Sequence, residues 1–268
     1  MLQVAKQRFK PLHRELVRTL MYLPDPYYLP WRIWGSRRLM PFKNKHSGAS
    51  CFIIGNGPSL NRMDLSLLQD CQTFGLNKIY LLFDRVDLNL SYHVAVNSLV
   101  VGQSIEQFQQ LNCPSFLSHR ACRGLLKGDH PHIYRLYTAD GPFTFEPDIT
   151  RPLQEGYTVT YVAMQIAFFM GFQRVYLIGV DHNFVAQGAP NQEQLLRGRD
   201  LNHFDPNYFR NQAWHLPDLA ASEVAYRLAQ YYFRQDGREI LDATVDGKLN
   251  VFPKVPYEEA LRDCRKNS

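Results

Sequence analysis

The chain has few cysteines and no paired-cysteine motif. Its 268 residues contain five cysteines, and no two of them are spaced as C-x-x-C. An odd number without such spacing argues against a disulfide framework and a cysteine zinc site, and it is typical of a reducing compartment. The sequence therefore predicts a cytoplasmic protein.

Long apolar runs are also missing. The longest, residues 161–172, is interrupted by Gln165. A membrane-spanning helix needs about 20 apolar residues, so we predict a buried core helix here and no span. The first residues alternate basic and apolar side chains without an apolar core region, so we expect no signal peptide.

Acidic residues are scarce in the first fifty positions, which hold ten Lys and Arg but only two acids, while the remainder holds 20 basic and 23 acidic residues. A nucleic-acid-binding domain carries its basic stripe on the folded body, so we expect no nucleic-acid partner.

The same segment is rich in aromatic residues, among them Tyr27, Tyr28, Trp31 and Trp34. Aromatic rings beside cations are what an interfacial membrane segment needs. The alternative, which the sequence favours, is an arm packed on the body or on a second subunit of a homo-oligomer. Residues 43–50 are polar and small and predict a linker. We therefore divide the chain into a basic aromatic arm (1–49) and a domain (50–262), and we leave peripheral contact with the inner membrane open.

Several metal and hydrolase motifs are absent. The sequence has no H-E-x-x-H, no D-x-D and no G-x-S-x-G. The first two supply zinc ligands or hold a divalent ion against a nucleotide diphosphate, and the third is a hydrolase nucleophile turn. We expect no metal and no cofactor, and group transfer from an activated phosphate ester without metal.

From residue 50 onwards, short apolar runs alternate with helical segments. The predicted strands are 51–54, 72–76, 89–96, 115–118, 133–137, 175–180 and 240–243, and the predicted helices are 63–70, 104–111, 156–170 and 222–235. Thr158 and Thr160 are both candidate caps for the third helix. This alternation predicts an α/β, Rossmann-like protein with a mostly parallel sheet and helices on both faces.

A glycine turn follows the first predicted strand, and its candidate site residues are Gly55, Asn56, Gly57, Pro58 and Ser59. A strand, a glycine turn and a helix N-terminus together favour an anion, because unpaired N–H groups and the helix dipole both attract negative charge. The third glycine of a dinucleotide fingerprint is replaced by Leu60. An ordinary tight turn is therefore an equal alternative.

Polar residues also follow the other strands. Asn77, Asn97, Asp181 and His182 each stand just past a predicted strand. Ligands of open parallel sheets bind outside the carboxyl ends of the strands, and an Asn amide can both donate and accept hydrogen bonds. We predict a ligand site built from these residues and Asn56.

Residues 183–221, called the lid segment below, form a long polar stretch typical of a substrate lid. Its His203 and His215 are candidate general bases, because imidazole titrates near neutrality. We prefer His203, since Asn202 and Asp205 are neighbours able to orient its ring.

These motifs together resemble a known family. The GNGPSL turn (55–60), Asn77 with Tyr80, Asn97-Ser98-Leu99, Thr158 before an apolar helix, and the G-V-D strand end (179–181) are similar to bacterial sialyltransferases of glycosyltransferase family 42. The same signature is shared by a broader group that resembles 6-hydroxymethylpterin diphosphokinases and includes flagellin sugar transferases.

The resemblance implies a GT-A-like fold, a CMP-linked sialic-acid-like donor, a glycan or glycolipid acceptor, and a role in surface polysaccharide synthesis. It implies that Asn56, Asn77 and Asn97 contact the donor, with Thr158 nearby, and that the base is His203 or His215. The tyrosine pair expected after the G-x-D strand is absent here, so His182 and Tyr208 are the candidates for the departing phosphate. The alternatives are an ATP-dependent diphosphokinase and a non-catalytic nucleotide- or glycan-binding protein.

Overall fold

A computed structural model describes residues 20–128, 130–185 and 187–266. The first 19 residues of the predicted arm lie outside the described residues. No helix within the described ranges is long and apolar enough to cross a membrane.

Seven parallel strands form the central sheet, in the order β11-β8-β1-β2-β3-β4-β5. They are β1 (Ser50–Ile54), β2 (Gln72–Leu76), β3 (Tyr92–Ala95), β4 (Ser115–Ser118), β5 (Ile133–Leu136), β8 (Arg174–Ile178) and β11 (Glu239–Asp242). In the middle of the sheet, Ile53 of β1 is paired with Phe74 and Leu177. This order confirms the predicted Rossmann-like α/β fold.

Two small sheets and four helices of ten or more residues complete the described part of the domain. β6 (Thr138–Ala139) pairs in parallel with β7 (Leu153–Gln154), and β9 (Glu193–Leu195) pairs antiparallel with β10 (Ala213–His215). The helices are α1 (Ser98–Gln109), α2 (Val159–Met170), α3 (Leu219–Gln235) and α4 (Tyr257–Lys266).

A separate apolar core lies on each face of the sheet. One core contains α2 and α3, and the other contains α1 and α4. β1 contributes to both, because alternate side chains of a strand point to opposite faces: Ile53 faces the first core and Phe52 the second. The predicted placement of helices on both faces is therefore confirmed.

The helix predicted over 63–70 is instead a single 3-10 turn, Leu65–Leu68. The glycine turn likewise leads into a 3-10 turn, Pro58–Arg62, and not into an α-helix. Thr158, one of the two candidate caps, does cap α2 by accepting a hydrogen bond from the N–H of Thr160.

The second half of the predicted arm is folded against the sheet. Residues 28–42 form a short α-helical turn, a π-helix (Trp31–Gly35) and a 3-10 helix (Ser36–Phe42). Trp31, Leu39 and Phe42 are buried in the same core as α2. The Trp31 indole N–H donates to the carbonyl of Arg135 at 2.7 Å, which attaches this segment to β5.

Candidate functional site

A cavity of about 710 Å³ lies over the C-terminal ends of β2, β3 and β4. The N-terminus of α2 forms one wall, and the lid segment forms another. Of the residues singled out from the sequence, those on the lining are Asn77, Asn97, Thr158, His203 and His215. The structure therefore brings together three predicted donor-binding residues and both candidate bases.

Asp200 and His203 form a buried pair on the lid side of this cavity. Nδ1 of His203 lies 2.8 Å from Oδ2 of Asp200, and the two side chains are 11% and 1% exposed. The other oxygen of Asp200 accepts the N–H of Asn202. A carboxylate on Nδ1 holds the proton there and leaves Nε2 with its lone pair, which is the form that a general base needs.

The ring of His203 is fixed by aromatic packing. It stacks on Tyr208 with ring centres 4.1 Å apart and planes only 6° apart, and Trp214 meets it edge-on. A side chain held by two aromatic rings keeps one orientation, and a catalytic base requires such a fixed orientation.

Lys78 anchors this part of the lid segment to the end of β2. Its ammonium donates to the carbonyl of Tyr208 at 3.0 Å, to Gln103 of α1 at 2.8 Å, and to Gln212 of the lid segment. Its backbone N–H donates to the Tyr208 hydroxyl. Burial lowers the pKa of Lys78 to about 8, while the carboxylate of Asp200 opposes that shift.

Asn77 lines the cavity, and its side chain is hydrogen-bonded to Tyr208. The backbone of Asn77 is left-handed (φ 48°), and its carbonyl lies 2.8 Å from Nε2 of the buried His93. Its side-chain Oδ1 is buried and has no hydrogen-bond partner among the described residues. Because an unpaired buried oxygen is costly, a donor group on a ligand is its expected partner.

Most hydrogen-bonding groups of the Asn97 side chain are already used within the cavity wall. Its Oδ1 accepts the N–H groups of Leu99 and Val100 and thereby caps α1. Its amide nitrogen lies 3.1 Å from Nδ1 of His215. One amide N–H of Asn97 then remains for a ligand.

Helix α2 points its N-terminus at the cavity. Gly156 and Tyr157 are both left-handed (φ 58° and 61°), and they turn the chain so that Thr158 can cap the helix. The helix dipole at this end favours an anion in the cavity.

The part of the cavity lining around Arg120 is charged. Arg120 forms a two-pronged ion pair with Asp140, at 2.7 and 3.2 Å. The neighbouring Glu155 has its pKa raised by burial, although the hydrogen bond from Thr138 and the charge of Arg120 oppose that shift.

The glycine turn does not line this cavity. The Asp181 carboxylate accepts both the N–H of Ser59 (3.0 Å) and its hydroxyl (2.7 Å). A side chain at Gly57 would collide with the same carboxylate. The predicted anion site at this turn stays a prediction, and in the structure the carboxylate of Asp181, 122 residues further on, already occupies Ser59.

The other residues of the glycine turn also lie off the cavity lining. Gly55 packs closely against the backbone of Gly179, and Pro58 only begins the 3-10 turn. The carbonyl of Asn56 accepts the N–H of Phe204 from the lid segment, and its side-chain Oδ1 is buried without a partner among the described residues.

The remaining predicted residues lie off the cavity lining. Nε2 of His182 lies 3.1 Å from Glu223 of α3. Tyr208 is buried, and its hydroxyl accepts the backbone N–H of Lys78. Its role at the site is to hold the ring of His203 by stacking. Thr160 is buried in the first turn of α2.

Sequence reasoning missed Asp200 as the partner of His203 and named Asn202 and Asp205 instead. Asn202 binds the backbone of Val185, and Asp205 accepts the N–H of Asn207. The sequence did offer one signal, a carboxylate three residues before the histidine. In a tight turn, residues three positions apart lie on the same side and can contact each other. Arg120, Asp140 and Glu155 carried no motif.

Within the described ranges, no group of three or more His, Cys, Asp or Glu side chains is placed to hold a metal ion.

No protein-family model and no curated protein matches the sequence. Among solved structures, the chain is similar to the MAf glycosyltransferase from Magnetospirillum magneticum AMB-1, with 14% identity and a TM-score of 0.48 over 88% of this chain; it spans 42% of that protein's length. It is also similar to the sialyltransferase CstII from Campylobacter jejuni, solved with the substrate analogue cytidine-5'-monophosphate, with 14% identity and a TM-score of 0.44 over 78% of this chain and 86% of that one. These likenesses are distant, and the fold described above stands on the strand order alone.

Proposed function

We propose that this protein is a metal-independent glycosyltransferase that moves a sialic-acid-like sugar from a CMP-activated donor to a hydroxyl of a glycan or glycolipid in surface polysaccharide synthesis. The observation that carries the proposal is His203 on the lining of the cavity, paired with the buried Asp200 behind it. The choice of a CMP-linked donor follows from the sequence resemblance. The protein would work in the cytoplasm, at the inner membrane.

His203 acts as the general base. Its Nε2 takes the proton from the acceptor hydroxyl, and that oxygen attacks the anomeric carbon of the donor sugar. The bond from this carbon to the phosphate oxygen breaks, and CMP leaves with the electron pair. Asp200 stabilises the imidazolium that forms, as a buried carboxylate does for other catalytic histidines.

The donor binds on the sheet side of the cavity. The Asn77 oxygen accepts a donor group of the nucleotide-sugar, and Asn97 offers its remaining amide N–H. The phosphate lies toward the N-terminus of α2, because the helix dipole there favours negative charge. This helix end replaces the glycine turn, whose N–H of Ser59 is already occupied.

A thermal-shift series tests the donor class. The full chain is melted with CMP, UDP, GDP and ATP, each with Mg²⁺ and with EDTA. A ligand at a hundred times its dissociation constant adds about 2.7 kcal/mol of stability, which raises the Tm measurably. We expect stabilisation by CMP that EDTA leaves unchanged. Stabilisation by ATP only in the presence of Mg²⁺ would replace the proposal with a diphosphokinase, and no shift with any nucleotide would contradict it.

A further inference from the structure

The outer surface of residues 20–42 is unusually apolar. Of the eighteen large apolar side chains that are exposed in the described part of the chain, eight lie between residues 20 and 40. These are Leu20, Met21, Leu23, Tyr27, Leu29, Ile33, Trp34 and Met40, and Trp34 is 66% exposed. We call this surface the N-terminal face. A concentration of this kind marks an interaction site and not ordinary surface scatter.

Cations surround the N-terminal face. Arg37, Arg38, Lys43 and Lys45 are exposed, and Arg32 is half-buried. The acid between residues 20 and 49 is Asp25, and it is already engaged, because it accepts the Tyr137 hydroxyl at 2.6 Å and lies 3.5 Å from Arg123. The face therefore combines apolar side chains with a positive rim.

We propose that the N-terminal face docks the protein on an anionic lipid bilayer. Apolar and aromatic side chains enter the interfacial region of such a surface, while Lys and Arg contact the anionic headgroups. A second copy of this chain fits less well, since a two-fold contact would set each positive rim against the other.

The N-terminal face is rigid before any lipid is bound. The opposite side of the same segment buries Tyr28, Trp31, Leu39 and Phe42 in the core. Arg38 also donates to the carbonyl of Pro131 at 2.7 Å. Docking therefore costs little ordering entropy, unlike that of a segment that folds only on the membrane.

The segment that carries the N-terminal face also reaches the candidate active site. Tyr22 and Asp25 line a side pocket of about 180 Å³ that shares Arg120, Ala139 and Asp140 with the main cavity. A protein docked through this face holds the Arg120 end of the cavity near the headgroups. If the proposed function holds, the acceptor is a hydroxyl carried on a membrane lipid.

Vesicle co-sedimentation tests the docking without reference to turnover. The full chain is mixed with vesicles of phosphatidylcholine alone or with phosphatidylglycerol added. We expect the protein to pellet with the anionic vesicles and to be released by salt. The double variant Ile33→Ser, Trp34→Ser should lose most of this binding. The double variant Arg37→Gln, Lys43→Gln should weaken it roughly 25-fold, since each cation near an anionic surface contributes about a fivefold effect.

The controls are exposed residues elsewhere on the body. Tyr231→Ser removes a ring that is 58% exposed on α3, and Arg262→Gln removes an exposed cation on α4. Both should pellet like the wild type, and all variants should keep the wild-type Tm and wild-type turnover of a water-soluble acceptor. Equal pelleting of the wild type and the Ile33, Trp34 variant would overturn the proposal. A dimer in sedimentation velocity that this variant abolishes, without vesicle binding by the wild type, would assign the face to a second copy instead.

Failure of the docking and failure of the proposed function are distinguishable. Loss of vesicle binding with intact sugar transfer would refute only the lipid surface. Vesicle binding without sugar transfer from any donor would support the N-terminal face as a lipid-binding surface. It would contradict the proposal of a lipid-borne acceptor.

Discussion

Oδ2 of Asp200 lies 2.8 Å from Nδ1 of His203, in a part of the lid segment where both side chains are nearly inaccessible to solvent. The contact fixes which nitrogen carries the proton and directs the basicity of the ring to Nε2. Because Tyr208 and Trp214 hold the ring on two sides, the pair is preorganised before a ligand binds.

Replacement of Asp200 by Asn should separate this orienting role from simple folding. Asp200→Asn keeps an oxygen for the N–H of Asn202 but removes the charge that favours the reactive tautomer. We expect turnover to fall by a factor of about 10²–10⁴ with nucleotide affinity retained. Steady-state kinetics over a range of pH measure this effect. The matched control is Asp205→Asn, which does not touch His203, and equal losses in both variants would contradict the role of Asp200.

The two cavity asparagines should respond differently to substitution. Asn77→Gly removes the unpaired amide oxygen but tolerates the left-handed backbone, so we expect roughly tenfold weaker nucleotide binding and a Tm lowered only by the lost hydrogen bond to Tyr208. Isothermal calorimetry and thermal melting measure the two quantities. Nucleotide affinity unaffected by the loss of the amide would remove Asn77 from the donor site.

Asn97→Ala should act mainly on stability, since it removes the cap of α1, at a cost of about 1 kcal/mol. Asn97→Ser is the control, because serine also caps helices. Melting should recover in Asn97→Ser, and a Tm as low as that of the alanine variant would show that the cap is not the cause.

The strands β1, β2, β3 and β8 were predictable from the sequence because their apolar runs end at Gly or Asn. The candidate site was predictable only in part. The glycine turn at Gly55 and Gly57 has the local features of an anion site, but its charge partner Asp181 is distant in the sequence and close only in the folded sheet. Asp200 was missed for a related reason, since the lid segment has no periodicity from which side-chain directions can be inferred. The fold of residues 28–42 escaped prediction because its aromatic residues are divided between the core and the surface.

Acid should destabilise the protein through His93. Burial lowers the pKa of this histidine to about 4, whereas in the unfolded chain it titrates near 6.5. Between these values the folded state binds fewer protons, so stability present above pH 6.5 is lost as the pH falls toward 4, by about 3 kcal/mol in total. Urea unfolding at several pH values measures the slope. His93→Gln cannot titrate and should flatten it, whereas an unchanged slope would assign the effect to other groups.

Loss of the Lys78 ammonium should loosen the lid segment. Lys78→Met leaves the Tyr208 carbonyl and the side chains of Gln103 and Gln212 without their donor, at a cost of about 1–3 kcal/mol each for the groups that stay buried. We expect a Tm lower by several degrees and faster amide hydrogen exchange in residues 200–212. The control Lys248→Met alters an exposed lysine. Equal exchange in both variants would show that Lys78 does not anchor the lid segment.

The most direct test is the release of CMP from a CMP-activated sialic-acid-like sugar, followed in EDTA with and without a glycan acceptor. The account predicts that the wild type releases CMP, that the acceptor increases the rate, and that His203→Ala lowers turnover by a factor of about 10²–10⁴ while still binding CMP. Full turnover in His203→Ala, or release that stops when EDTA is added, would contradict it.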